Sequence, residues 1–402
     1  MKEFPPPPAK KASRLAALEA ISEAQKIAFA PMLFHAVACL RDFGVLAFLD
    51  TRADRGAAGV TEIAAACNLS EYGAGVLLDA GKSAGVIVEH REETDGDEGE
   101  GGGRGRDGDG RGGRMRFSLS RTGHFILHDR MTRVNMDFVR DVCFRGMESL
   151  GASIREARPA GLRVFGAWPT IYEGLSSLPE PARKSWFAFD HFYSDQSFGI
   201  VLEKIFGMRP RPAHIYDVGG NTGRWALRCT AHDPDVRVTV LDLPQQIALL
   251  REALAGKPDA ARIDGVAVDL LAPAAPTGTA RAAGAAGAVT LPGEADVWWM
   301  SQFLDCFGEE QIVNILSLVR RSMKPGARAC ILEPFCDRQR FPAAELSLNA
   351  GSLYFTCMAN GNSRFYRAEA FLPLVKRAGF LIEEEMDDIG TGGHTLLICS
   401  AR

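Results

Sequence analysis

The 402-residue chain predicts an α/β fold: a mainly parallel sheet covered on both faces by helices, behind an N-terminal region that is mainly helical. Three stretches point there. Residues His214 to Leu243, HIYDVGGNTGRWALRCTAHDPDVRVTVLDL, read as strand, glycine turn, helix and second strand. From Pro244 to the C-terminus, helical and strand patterns alternate. Ahead of them, Thr61 to Ser83 reads as helix–turn–helix, followed by two short strands, GVIVEH and RFSLS, in the manner of a wing.

The first stretch carries the chemistry. Glycines let backbone and ligand approach closely, and the N-terminus of the following helix offers free N–H groups. Asp242 ends the second strand about 20 residues past the turn, where a carboxylate reaches both hydroxyls of a ribose. An adenosine-type cofactor is therefore expected. Dehydrogenases use the same device, but their G-x-G-x-x-G pattern is not met, because Asn221 stands at its third position (Gly219, Gly220, Asn221, Thr222, Gly223).

D-V-G-G-N-T-G followed by L-D-L-P closely resembles the nucleotide-binding segment of S-adenosylmethionine-dependent small-molecule methyltransferases, specifically the two-domain O-methyltransferase family. The resemblance implies a Rossmann-like methyltransferase sheet and S-adenosyl-L-methionine as cofactor. In that family the first acid and the glycines hold the methionine part and ribose, and the second acid holds the ribose hydroxyls. Those roles carry onto Asp217, Gly219, Gly220, Gly223 and Asp242. Asn221, Leu243, Asp269, Leu270, Ser301 and Gln302 complete the expected cofactor set.

Composition narrows the remaining classes. A hydrophobic content of 46% suffices for two domains, and a net charge of −4 gives no broad attraction to nucleic acid. Nine scattered cysteines without C-x-x-C suggest neither a zinc ribbon nor disulfides, and free thiols fit a reducing cytoplasm. MKEFPPPPAKKASR lacks a signal-peptide core and no run approaches 18 apolar residues, so no membrane partner and a cytoplasmic location are expected.

In chain order, residues 1–13 read as a disordered tail and 14–125 as a winged-helix dimerisation domain. Its first helical pattern, Leu15 to Leu49, should break near Pro31, and is apolar enough to be buried on several sides. The family pairs two subunits through this region, which implies a homodimer. Thr61 is the expected N-cap of the first motif helix, and Asn68-Leu69-Ser70 the turn. A DNA-reading helix needs cationic or amide side chains, whereas the second motif helix offers Glu71 and Asp79 with Lys82 only at its end. A transcriptional regulator is thus the non-enzyme alternative. Residues 91–116, with ten glycines, eight acids and six arginines, read as a disordered wing insertion, and 272–294 as a second low-complexity insertion. His124 and His128 have metal-ligand spacing, but no third ligand is evident nearby, so no metal is expected. Residues 126–205 read as helices lining an acceptor pocket, and 206–402 as the cofactor domain.

The catalytic segment departs from the family. An O-methyltransferase of this kind carries a histidine base in H-D-W-S-D-E-E; here the aligned segment is L-D-C-F-G-E-E, with Leu304 at the histidine and Asp305 retained. Ser363 replaces one orienting glutamate, while Glu333 matches the other acid. Three routes remain: a sulfur acceptor with no base, an acidic hydroxyl reacting by proximity, or another base, for which His191 and Tyr193 are the candidates. The expected function is methyl transfer to a small-molecule oxygen or sulfur, with an NAD-dependent oxidoreductase as the competing enzyme class.

Overall fold

A computed structural model describes residues 14–92, 114–272 and 291–402. The tail and most of both low-complexity segments lie outside these residues. The chain divides into two compact units, 1–136 and 137–402.

The first unit begins with α1 (Arg14–Asp42), which runs through Pro31 without a break. The helix ends instead at Gly44, whose φ of 80° is a left-handed conformation that suits glycine. Nor is α1 buried on several sides: Leu18, Ile21, Ile27, Phe29 and Met32 are exposed, because nothing within the unit covers them. The remaining elements are α2 (Val45–Asp50), β1 (Ala58–Gly59), α3 (Val60–Ala66), α4 (Glu71–Ser83), β2 (Ile87–Glu92), β3 (Arg114–Leu119), α5 (Arg121–His128) and α6 (Arg130–Phe138). Gly59, not Thr61, caps α3, since the strand before it leads directly into the helix. Ser70 caps α4 by accepting the Gly73 N–H at 3.0 Å. The wing strands reach further into the expected insertion than composition suggests, pairing as far as Glu92 with Arg114. Leu40, Leu46, Ile63, Leu78 and Phe117 fill the core of this unit.

The second unit opens with helices, among them α7 (Leu150–Glu156), α8 (Ile171–Gly174), α9 (Glu180–Asp195) and α10 (Phe198–Phe206). Then comes the alternating region: β4 (His214–Val218), α11 (Arg224–His232), β5 (Arg237–Asp242), α12 (Pro244–Leu254), β6 (Ile263–Ala267), β7 (Val297–Ser301), α13 (Glu309–Ser322) and β8 (Arg328–Glu333). It closes with α14 (Pro342–Tyr354), α15 (Ala368–Arg377), β9 (Phe380–Ile389) and β10 (His394–Ala401).

Seven strands form one sheet ordered β6-β5-β4-β7-β8-β10-β9, all running the same way except β10, which is antiparallel to both β8 and β9. Both faces are covered, which explains the unbroken apolar run of β7. Trp298 and Met300 point into the core with α13 and α15, while Val297 and Trp299 point into the core with α10, α11 and α12. Leu291, inside the expected second insertion, is 5% exposed and belongs to the first of these cores, so order resumes before residue 294. Strand order reverses at β4, between β5 and β7. The crevice at the carboxyl ends of these three strands is where an open α/β sheet takes its ligand.

Candidate active site

The three strand ends meet there. After β4 the chain turns through Gly219, Asn221 and Gly223, with φ values of 73°, 51° and 75°. A Cβ on Gly219 would stand 2.2 Å from the Phe303 ring, and one on Gly220 would stand 2.5 Å from Asp217 Oδ2. The turn is therefore closed to larger residues. Asp242 Oδ2 accepts the Asn221 N–H at 2.9 Å and Oδ1 accepts the Leu243 N–H at 2.7 Å, which ties the tip of β5 to the turn.

Two cavities open on this edge. The smaller, about 70 Å³, is lined by Asp217, Gly219, Gly220, Asn221, Ser301 and Gln302 among others, with His191 and Arg224 at its side. The larger, about 630 Å³, has two ends. Asp242, Leu243, Gln246, Asp269 and Leu270 line one end, and Tyr172, Trp186, Phe189, Cys306, Tyr354 and Phe365 the other. Among the described residues lining the larger cavity are five carboxylic side chains, Glu173, Asp190, Asp242, Asp269 and Asp305, and no Lys, Arg or His.

The expected cofactor residues are thus brought together, except that Gly223 lines neither cavity. Its left-handed backbone starts α11, and a Cβ there would meet Leu250 at 2.4 Å. Of the four expected catalytic residues, Asp305 lines the larger cavity and His191 the smaller, while Tyr193 and Glu333 line neither. Glu333, 2% exposed, accepts the N–H groups of Phe303 and Leu304 through Oε1, at 3.2 and 2.9 Å. It shapes the loop after β7. Leu304 itself is fully buried in the sheet core and does not line the larger cavity. Ser363, 3% exposed, donates to Asn360 Oδ1 at 2.7 Å, and Asn360 in turn holds the Cys306 carbonyl.

Burial dominates the electrostatics. Loss of solvent, then the Asp242 charge, pushes the Asp217 carboxyl up to about 8. Asp242 rises to about 6 by burial, opposed by its two amide donors. Asp305 and Glu333 are both driven upward by burial, Asp305 further by the Asp190 charge and Glu333 further by the Asp305 charge. His191 is pushed down to about 4 by burial, then by Arg224. Asp190 rises to about 7 through burial, then the Asp195 carboxylate. Asp190 lines both cavities; the sequence marks it, with Trp186, Phe189, His191, Phe192 and Tyr193, as a candidate on α9, but not as one of the four expected catalytic residues.

A parallel sheet with one reversed strand, β10, and a glycine turn plus strand-tip acid at the switch point, defines a Rossmann-like fold of the methyltransferase type. Residues 200–381 match the O-methyltransferase domain and residues 22–94 the Dimerisation2-like domain, so the chain carries a match to both. A curated relative, the 3-amino-4-hydroxybenzoate 4-O-methyltransferase of Streptomyces cremeus, is 24% identical over 243 residues. That alignment takes in 60% of this chain and 58% of the relative, so the chain spans less than two thirds of the relative's length. Among solved structures, mitomycin 7-O-methyltransferase superposes with a TM-score of 0.66 at 19% identity, covering 97% of this chain and 100% of that one. An O-methyltransferase from neocarzinostatin biosynthesis, in complex with S-adenosylmethionine and 2-hydroxy-5-methyl naphthoic acid, gives 0.61 at 17%, covering 98% and 100%. At these identities the superpositions establish the fold.

Proposed function

We propose that this chain transfers a methyl group from S-adenosylmethionine to the hydroxyl of a small planar aromatic molecule. The observation that carries the reading is the glycine turn tied to Asp242, opening on a cavity with an aromatic end and no cationic side chain among the described residues that line it.

The residues present fit the donor. Asp217 Oδ2, Asn221 Oδ1, Ser301 Oγ and Gln302 Oε1 are buried without a hydrogen-bond partner, an arrangement costly unless a ligand supplies donors. The small cavity would hold the amino-carboxylate tail, between Asp217 and Arg224, and Asp242 with Asp269 and Leu270 the nucleoside end. When bound, the donor supplies a methyl group on a sulfonium with a neutral leaving group. The chain's own part is alignment and exclusion of water: Phe303 closes over the turn, and the aromatic walls orient a flat acceptor. Five acids in the cavity favour a cationic donor and disfavour a carboxylate on the acceptor, in contrast to the hydroxybenzoate and naphthoic acid named for the two relatives. The aminobenzoate relative supports oxygen over sulfur as the acceptor atom.

The exposed apolar side chains of α1 support a homodimer, since a Dimerisation2-like domain spans residues 22–94 and a second copy of the chain would cover them. No described helix is long and apolar enough to cross a membrane. Calorimetric titration tests the donor assignment: S-adenosylhomocysteine should bind and NAD should not. Labelled donor offered with uncharged phenols, hydroxybenzoates and thiols tests the acceptor. Uptake of NAD alone would overturn the reading, and transfer to thiols alone would move the acceptor atom to sulfur.

A further inference from the structure

The two cavities share four residues, Asp190, Gly219, Asn221 and Gln302. One cavity suits the donor's tail and the other its nucleoside and the acceptor, so the shared residues mark the reacting centre. Of the four, only Asp190 has a side chain that ionises. Its side chain is 31% exposed. The other acids and bases nearby are worse placed. Asp305 is 3% exposed, Glu333 and Tyr193 line neither cavity, and His191 lines only the smaller one.

We propose, resting on the function proposed above, that Asp190 is the catalytic base that takes the acceptor's hydroxyl proton, in place of the histidine whose position Leu304 fills. The groups that act on Asp190 are Asp195 and Asp242, which disfavour its ionisation, and Arg224, which favours it. His191 lies 4.0 Å away, and Asp305 and Tyr354 are made harder to ionise by Asp190 in turn. The upward shift puts its titration near neutral pH, where a base works best. The acceptor's O–H proton passes to the carboxylate, and the oxygen's electron pair forms the new O–C bond. The C–S pair stays with sulfur as a neutral thioether, and the carboxylic acid then releases its proton to water. One cation and one anion are thereby discharged together.

The test compares binding of S-adenosylmethionine, a cation, with that of neutral S-adenosylhomocysteine across the neutral pH range. The wild type should favour the cation increasingly as pH rises, and Asp190→Asn should lessen that dependence, leaving the share that Asp217, Asp242 and Asp305 contribute. Turnover of Asp190→Asn should fall by about a hundredfold or more and lose its acid limb, with partial rescue by Asp190→Glu. A folded Asp190→Asn that keeps both the pH dependence and the turnover overturns the proposal. Should that variant not fold, a flat preference in the wild type does so. Failure of the wild type to bind either compound would instead remove the methyltransferase reading itself.

A separate observation in the first unit carries a second site. Asp50, at the end of α2, meets both histidines of α5: His124 Nδ1 lies 3.3 Å from Oδ1 and His128 Nε2 lies 2.8 Å from Oδ2. The three ligand atoms all fall within 4.8 Å of one another. No sequence pattern pointed to Asp50, which lies 74 residues before His124. We infer that Asp50, His124 and His128 bind a divalent transition metal, leaving a solvent-facing position, since the side chains are 30%, 55% and 49% exposed. Titration of chelator-treated protein with Co²⁺ should saturate at one equivalent, with a nitrogen–oxygen rather than thiolate spectrum, and raise the melting temperature. Neither change should survive His124→Ala with His128→Ala. Thiolate-type spectra, absence of binding, or equal binding by the double variant would overturn it.

Discussion

The two ends of the large cavity are built in different ways. At the nucleoside end, neighbours in sequence are neighbours in space: the turn after β4 and the tip of β5 are joined by amides donating to one carboxylate, Asp242. At the aromatic end, Tyr172, Trp186, Cys306 and Tyr354 come from four separate elements, and Tyr354 accepts the Trp186 indole N–H at 2.7 Å across 168 residues. The first end is held by backbone, so its residue types follow from geometry. The second is held by side-chain packing, which tolerates substitution and sets the shape of that end.

This contrast can be broken most sharply at Gly219. Gly219→Val should abolish S-adenosylhomocysteine binding in titration, because its Cβ would collide with Phe303 and its left-handed backbone alone costs roughly 1–2 kcal/mol. Retained binding would show that the turn does not touch the donor. Asp242→Ala should weaken the same binding about tenfold or more, as expected for lost hydrogen bonds to a charged group. Wild-type affinity would place the ribose elsewhere.

Leu304→His tests the other end. It buries a polar ring in the sheet core, so the protein should lose about 1–3 kcal/mol of stability by chemical denaturation and gain no turnover. Faster methyl transfer would mean that position 304 does face the acceptor.

The smallest effect expected is on stability against pH. Asp217 binds its proton more tightly folded than unfolded, so the native state loses stability as pH rises from 3.8 towards about 8. His394, buried and pushed down to about 4, acts oppositely: the unfolded chain takes protons that the native chain refuses as pH falls below 6.5. Between pH 6.5 and about 8 only the acid effect remains, so the melting temperature should decline there, and less so in Asp217→Asn. An unchanged slope in that variant would remove Asp217 as the cause.

Much of the nucleoside end was legible in advance, because a glycine turn and a strand-tip acid at fixed spacing are local features. That Leu304 joins the sheet core was not legible, because its burial depends on packing across the sheet. Pro31 was misread because a proline interrupts a helix only where its ring and missing N–H cannot be accommodated, and α1 accommodates both.

What the sequence determined alone was the alternating sheet, the turn from Gly219 to Gly223 and the acid at 242, since these rest on periodicity and backbone conformation over a few residues. What only the folded chain decided was which groups share one space. Asp190 lines the same two cavities as Gly219 and Gln302, and Asp50 meets two histidines more than seventy residues away. Such meetings depend on how helices pack, and packing joins positions whose separation along the chain carries no pattern.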